Sequence, residues 1–192
     1  MPDPNPAALE FLLRRRSRPA RTLAPPAPSR SQLEPLLTAA ARSPDHGKLE
    51  PWRFIVLERP ALQRLAGLAQ ERAARLGLPP ERAAREVAQY AEGILAVAVI
   101  AAPRESEKVP EIEQLLSAGG VCLALLNAAL AAGWGANWLT GRLSHDRSFV
   151  EAGLGLQPHE LVAGLIFIGS ETVPPPERPR PDLGRIVTWM AR

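Results

Sequence analysis

A chain of 192 residues, 46% hydrophobic and 22% charged, can bury one compact core and is unlike a disordered segment. Its single cysteine, Cys122, excludes an intramolecular disulfide and a cysteine-based metal cluster, and suits a reducing cytoplasm. The net charge is +3, and basic residues crowd both ends (Arg14, Arg15, Arg16, Arg18 and Arg21; Arg178, Arg180, Arg185 and Arg192), but aromatics are only 5%, which argues against a base-stacking nucleic-acid surface and for a single phosphate group as partner.

Residues Met1 to Pro6 carry no charged-then-apolar signal pattern. A first helix is expected from Ala7 to Arg16, with Leu9, Leu12 and Leu13 on one face and cations at its C-terminal end, where they suit the helix dipole. Thr22 to Pro28 reads as an extended, proline-rich connector. Ser31 followed by Glu34 reads as a capping box opening a second helix, with Leu33, Leu36, Leu37 and Ala40 inward, ended by Pro44.

The loop Ser43-Pro44-Asp45-His46-Gly47-Lys48-Leu49-Glu50-Pro51-Trp52 comes next. Its two prolines are expected to hold the residues before them extended and so stiffen the loop, which offers an imidazole, an ammonium and carboxylates as a binding loop would. Arg53 to Leu57 reads as a strand buried on both faces. Leu62 to Leu76 and Glu81 to Tyr90 read as helices, the second part of an exposed excursion with a weak apolar face. Ile94 to Ala102 reads as a central buried strand.

Glu111 to Ala132 is expected as a long helix, acidic in its first turn and apolar nearly all round from Val121 onward. Such a helix spans a membrane or fills a core. Ser117, Gly119, Gly120 and Asn127 interrupt it, so it reads as buried in protein, with small residues that would let helices of two subunits pack closely. Gly133 to Gly141 reads as a short strand leading to a loop. Ser144 reads as the cap of a helix through Ala152, and Leu161 to Gly169 as another buried strand. Pro174 to Pro181 reads as an extended tail, and the alternating Ile186-Val187-Thr188-Trp189 as a short strand or helix. Helices alternating with buried strands predict a layered α/β (α+β) fold: a three-layer α-β-α sandwich around a mixed sheet.

No GxGxxG or GxxxxGK[ST] occurs. His46, His145 and His159 lack metal-ligand spacing, so no metal site is expected. No nucleophile motif is present either, and an enzyme built this way needs a cofactor for its chemistry.

Four stretches now combine: Arg15-Arg16-Ser17; Ala41-Arg42-Ser43-Pro44-Asp45-His46 with Pro51-Trp52-Arg53-Phe54; the long Ala-rich helix followed by Gly133-Trp134-Gly135; and Leu165-Ile166-Phe167-Ile168-Gly169. In order and spacing the chain resembles the nitroreductase family of flavoproteins, in particular its small bacterial YdjA-like branch, over essentially its whole length. The resemblance implies one FMN-binding domain over 1–192 and an obligate homodimer with FMN at the interface. It implies an FMN-dependent oxidoreductase that takes hydride from NADPH or NADH and reduces nitroaromatics, quinones or similar small electron-poor acceptors by a ping-pong mechanism, with no catalytic side chain of its own.

By the same resemblance Arg15, Arg16 and Ser17 would hold the phosphate and ribityl side of FMN. His46 and Glu50 would meet the flavin across the dimer, and Trp138, Leu139 and Thr140 would contact it from the strand. Ala128, Ala129, Leu130, Ala131, Ala132 and Gly133 match the segment assigned to the nicotinamide cofactor. Glu50 stands where the family usually has Gln, and Leu139 where the branch has Arg. A second reading is therefore a flavin-binding or flavin-sequestering dimer with little turnover.

Overall fold

The sheet is organised around β5 (Leu161–Glu171), the longest strand. On one side it pairs with β3 (Leu95–Ala101), which in turn pairs with β2 (Trp52–Leu57). On the other side it pairs with β4 (Gly135–Leu139) and, at its C-terminal end, with β1 (Leu23–Ala24). The computed structural model describes residues 3–191. The layered α-β-α arrangement is as expected, but every described strand pairing is antiparallel rather than mixed.

The apolar run of β3 explains its place. All seven residues are buried, and their alternation serves both layers. Leu95, Val97 and Val99 face α2 (Arg30–Ala40) and α5 (Glu111–Ala131), where they meet Leu33, Leu36, Val121 and Leu125. Ala96, Ala98 and Ile100 face α3 (Arg59–Arg75), α4 (Pro80–Ala91) and α6 (Arg147–Leu154), where they meet Leu62, Leu65, Tyr90 and Phe149. Each fully buried aliphatic or aromatic side chain here contributes about 1.5–3 kcal/mol of transfer free energy.

Local chemistry moved several boundaries from those expected. The first helix, α1, runs Pro6–Arg14: Asn5 caps it by accepting from the Ala8 N–H, and Arg15 at φ −54, ψ 143 has already left the helix. Arg15 and Arg16 are thus loop residues. The capping box of α2 is built by Ser29 with Gln32, not by Ser31 with Glu34. Likewise Asp146, not Ser144, caps α6. Its carboxylate accepts from the Phe149 N–H while gripping Arg72, and an ionised carboxylate is the stronger acceptor. The strand expected to be buried on both faces, β2, is an edge strand with Val56 exposed. Nor is α4 a mere excursion, because Tyr90 and Glu86 are buried.

Within one chain α5 is buried on one side only. Val121, Cys122, Leu125, Leu126 and Ala129 are buried against the sheet and α2, whereas Ile112, Leu116 and Leu123 are 46–68% exposed. Spacings of four and seven residues put these three on one face of the helix. Leu9, Leu12 and Leu13 of α1 are likewise exposed, as are Leu183 and Ile186 of the single-turn α7 (Leu183–Ile186) and Trp189 beyond it. Among the described residues α5 is the one helix long and apolar enough to cross a membrane.

Candidate active site

Arg15, Arg16 and Ser17 leave α1 and are tied down at once. The Arg18 N–H donates to the Ala136 carbonyl at 2.8 Å, its Nη1 donates to the Arg16 carbonyl at 2.7 Å, and its Nε bonds Glu171 Oε2 at 2.6 Å. This fastens the segment to β4 and β5. Arg15 Nη2 donates to Ser17 Oγ at 3.1 Å. Two nitrogens in the segment are buried without an aligned hydrogen bond: Arg15 Nε, and Arg16 Nη1, whose one ionic contact is Glu177 Oε1 at 2.9 Å. Burial, and then the charges of Arg180, Arg16 and Arg18, hold the Arg15 guanidinium below its ordinary pKa, although it remains a cation. Unsatisfied donors under crowded positive charge define a place for an anion.

Arg15 and Arg16 form the wall between two open depressions. One, of about 550 Å3, also takes in Ser17, Arg178 and Arg180. The other, of about 460 Å3, takes in Phe11, Leu130, Gly133 and Trp134. So Leu130 and Gly133 share a cavity with the arginine pair. Ala131 and Ala132 are exposed nearby in sequence, and Ala128 is partly buried. Ala129 has no exposed surface and packs in the core beneath α5, out of reach of a ligand.

His46 and Glu50 lie at the other end of α5. The loop between α2 and β2 carries three residues with positive φ: Gly47 (74°), Lys48 (55°) and Glu50 (46°). Glu50 is therefore left-handed, not extended as its following proline predicts. The clamp is Asp45, whose carboxylate accepts from the N–H of Leu49 at 3.2 Å and of Glu50 at 2.7 Å. Ser117 of α5 holds the loop from below, donating to the Pro44 carbonyl at 2.7 Å and accepting from Trp52 Nε1 at 3.2 Å. His46 Nδ1 lies 2.7 Å from Glu113 Oε2 in the first turn of α5. Glu50 is exposed.

From Glu113 to Leu130 the helix advances about 25 Å at roughly 1.5 Å per residue. The His46 loop and the arginine pair of one chain thus stand too far apart to hold the same end of one ligand. The exposed face with Ile112, Leu116 and Leu123 runs between them.

On β4, Trp138 packs over Gly164, where any Cβ would collide with its indole. Leu139 packs against the core on the α3–α4 side. Thr140 is exposed and lines an open pocket of about 670 Å3 with Arg82, Glu86 and Arg142. Glu86 sets this turn by accepting from the N–H of Arg142 at 2.9 Å and of Leu143 at 3.2 Å. A Cβ at Gly141 would stand 2.5 Å from Glu86 Oε2, so any larger residue there must displace the carboxylate that holds the turn.

The nitroreductase family model matches residues 12–170. The Escherichia coli K12 protein named "Putative NAD(P)H nitroreductase YdjA" is 34% identical over 163 residues, covering 85% of this chain and 87% of its own. The chain belongs to the nitroreductase family. Solved structures agree in fold. A nitroreductase-like family protein from Bacillus cereus superposes with a TM-score of 0.79 at 20% identity, covering 100% of this chain and 99% of its own. A Desulfovibrio desulfuricans protein solved in complex with FMN superposes at 0.74 and 22%, covering 98% of each.

In this nitroreductase-family chain two contacts that shape the His46 loop were not singled out in the sequence. Glu113 is 67 positions from His46, and nothing local links them. Asp45 had a signal: an Asp just ahead of a glycine turn commonly binds backbone N–H groups a few residues on. Two further ionisable side chains in the core, Cys122 and Tyr90, stay neutral. Burial pushes the Cys122 thiol up to about 12, so it is no thiolate, and raises the Tyr90 hydroxyl to about 12. Among the described residues no group of three His, Cys, Asp or Glu side chains could hold a metal ion.

Proposed function

We propose that this chain works as a homodimer that binds FMN at its interface and oxidises NADPH or NADH at the expense of small electron-poor acceptors such as nitroaromatics or quinones. The observation that carries the reading is the buried arginine pair: Arg15 Nε has no hydrogen-bond partner and Arg16 Nη1 meets only the exposed carboxylate of Glu177, in a cavity open to the C-terminal end of α5. They fit the phosphate end of FMN: two planar forks, with Ser17 beside them. When bound, FMN supplies the redox chemistry in two half-reactions, first with the nicotinamide donor and then with the acceptor.

The chain's own residues bind and orient. The distance along α5 supports the dimer. Two copies with their α5 helices antiparallel across the exposed Ile112–Leu123 face would set the His46 loop of one beside the Arg15–Arg16 pair of the other. His46 then offers a ring nitrogen to the flavin, positioned by Glu113. Glu50 brings a carboxylate that disfavours further negative charge close by. Leu130 and Gly133 give the nicotinamide donor a small-residue wall next to the arginines. The two-fold symmetry repeats this composite site, so the dimer would hold two FMN molecules at its interface.

The second reading, a flavin-holding dimer with little turnover, draws on Leu139, which packs into the core where the branch has a charged Arg. One preparation separates the two. The purified protein is expected to be yellow, to release FMN on denaturation, and to bleach within seconds when NADPH or NADH is added without oxygen. A yellow protein that does not bleach supports the flavin-holding dimer. A colourless protein that cannot be reconstituted with FMN overturns both.

A further inference from the structure

The chain beyond β5 runs without regular structure through Pro174-Pro175-Pro176 and returns across the Arg15–Ser17 segment. It brings two cations, Arg178 and Arg180, to the same 550 Å3 cavity as Arg15 and Arg16. It also brings one anion. Glu177 Oε1 lies 2.9 Å from Arg16 Nη1 and 3.6 Å from Arg180 Nη2.

This contact differs in kind from the protein's permanent ion pairs. Arg53 with Glu160 and Arg72 with Asp146 are bidentate, at 2.6–3.0 Å, with the acid side chain 6% and 13% exposed. Glu177 is 75% exposed and reaches Arg16, itself 16% exposed, from the solvent side. Close as it is, it leaves Arg16 Nη1 without an aligned hydrogen bond, and Arg15 Nε has none either. Arg18 is already matched by Glu171. Four guanidiniums, of Arg15, Arg16, Arg178 and Arg180, therefore line one cavity beside a single loosely held carboxylate, which touches Arg16 and Arg180. The backbone N–H of Arg178, and then Arg16 and Arg180, keep that carboxyl below the usual carboxylate range, so it is charged at neutral pH.

We propose that Glu177 is a displaceable internal counter-ion: it stands at the mouth of the Arg15–Arg16 site and must give way when a phosphate monoester binds. The ligand class rests on the FMN reading above. A phosphate dianion brings twice the charge and three acceptor oxygens to donors that one exposed carboxylate does not satisfy. A flavin without phosphate has nothing to exchange for Glu177. The residue thereby lowers the affinity for phosphorylated flavin and for weak single anions, and leaves unphosphorylated flavin unaffected.

The test compares wild type with Glu177→Gln, both stripped of flavin, using three probes: FMN, riboflavin and inorganic phosphate. Flavin binding is read by fluorescence quenching and phosphate binding by calorimetry. The expected result is about fivefold tighter binding of FMN and of phosphate in Glu177→Gln, the scale of one exposed ion pair, with riboflavin unchanged. Wild type binding FMN with Glu177→Gln equal or weaker overturns the proposal and leaves the FMN reading intact. Wild type failing to bind FMN overturns that reading, and tighter phosphate binding by Glu177→Gln still upholds the exchange. Phosphate binding that is equal in both proteins overturns it. Because Glu177 is exposed, equal thermal midpoints are expected for the two proteins.

Discussion

The imidazole Nδ1 of His46 lies 2.7 Å from Oε2 of Glu113, joining the loop before β2 to the first turn of α5. A carboxylate only accepts, so Nδ1 carries the hydrogen and Nε2 is the ring nitrogen left for a ligand. Glu113→Ala is expected to let the ring change tautomer and orientation and to weaken FMN binding about fivefold, the scale of one net hydrogen bond. Glu113→Gln keeps an acceptor and is expected to restore most of the affinity. Nitrogen-15 spectra of the imidazole report the tautomer directly. An unchanged ring spectrum in Glu113→Ala would remove the positioning role.

Asp45 holds a strained loop. Without its carboxylate the N–H groups of Leu49 and Glu50 lose their partner, and Lys48 and Glu50 keep the cost of positive φ. Asp45→Ala is expected to lower stability in urea by about 1–2 kcal/mol. Lys48→Gly is expected to raise it by up to about 1 kcal/mol, since glycine takes φ 55 freely. Destabilisation by Lys48→Gly would mean the side chain matters more than the backbone.

The exposed face of α5 tests the dimer. Leu116 is 68% and Leu123 46% exposed. Charges at both, in Leu116→Glu with Leu123→Glu, cost little in a lone chain but place like charges in an interface. Sedimentation is expected to show a dimer for wild type and a monomer for the double variant, and the variant is expected to lose bound FMN although its far-UV spectrum is unchanged. A variant that stays dimeric would move the interface off this face.

Glu160 contributes acid sensitivity to the fold. Its bidentate bond from Arg53, then the N–H of Gln157, hold its carboxyl at about 2, against an ordinary 4.5. The folded pKa is depressed, so the stabilisation is present above about pH 4.5 and is lost as pH falls toward 2. It amounts to at most about 3 kcal/mol, and to less because Arg53 is 41% exposed. In Glu160→Gln, urea midpoints are expected to fall at pH 7 and to depend less on pH between 4.5 and 2. A parallel pH dependence in both proteins would assign the acid sensitivity elsewhere.

The periodic elements were legible in the sequence. Ile94 to Ala102 reads as a buried strand, observed over Leu95–Ala101, and Glu111 to Ala132 as a long helix, observed over Glu111–Ala131, because a largely apolar run has few other places to go. Caps were not legible where two candidates stood close together. Which of Ser29 and Ser31, or of Ser144 and Asp146, caps its helix depends on which backbone N–H each can reach once the chain is folded. The burial of Glu86 and Tyr90 on α4 was hidden for a similar reason, since its partners lie in the turn after β4 and in α6.

The candidate site divides along the same line. Sequence alone determined the chemistry on offer: an Arg-Arg-Ser run, a stiff His-bearing loop and a small-residue helix end, each a local pattern of residue types. Tertiary structure alone decided their placement. It set the arginine pair and the His46 loop at opposite ends of α5, left an apolar face between them, buried Ala129, and laid Glu177 against Arg16 across more than 150 residues of chain. Those facts depend on which surfaces close over one another, and an exposed leucine on α5 looks in sequence like a buried one until its neighbours are in place.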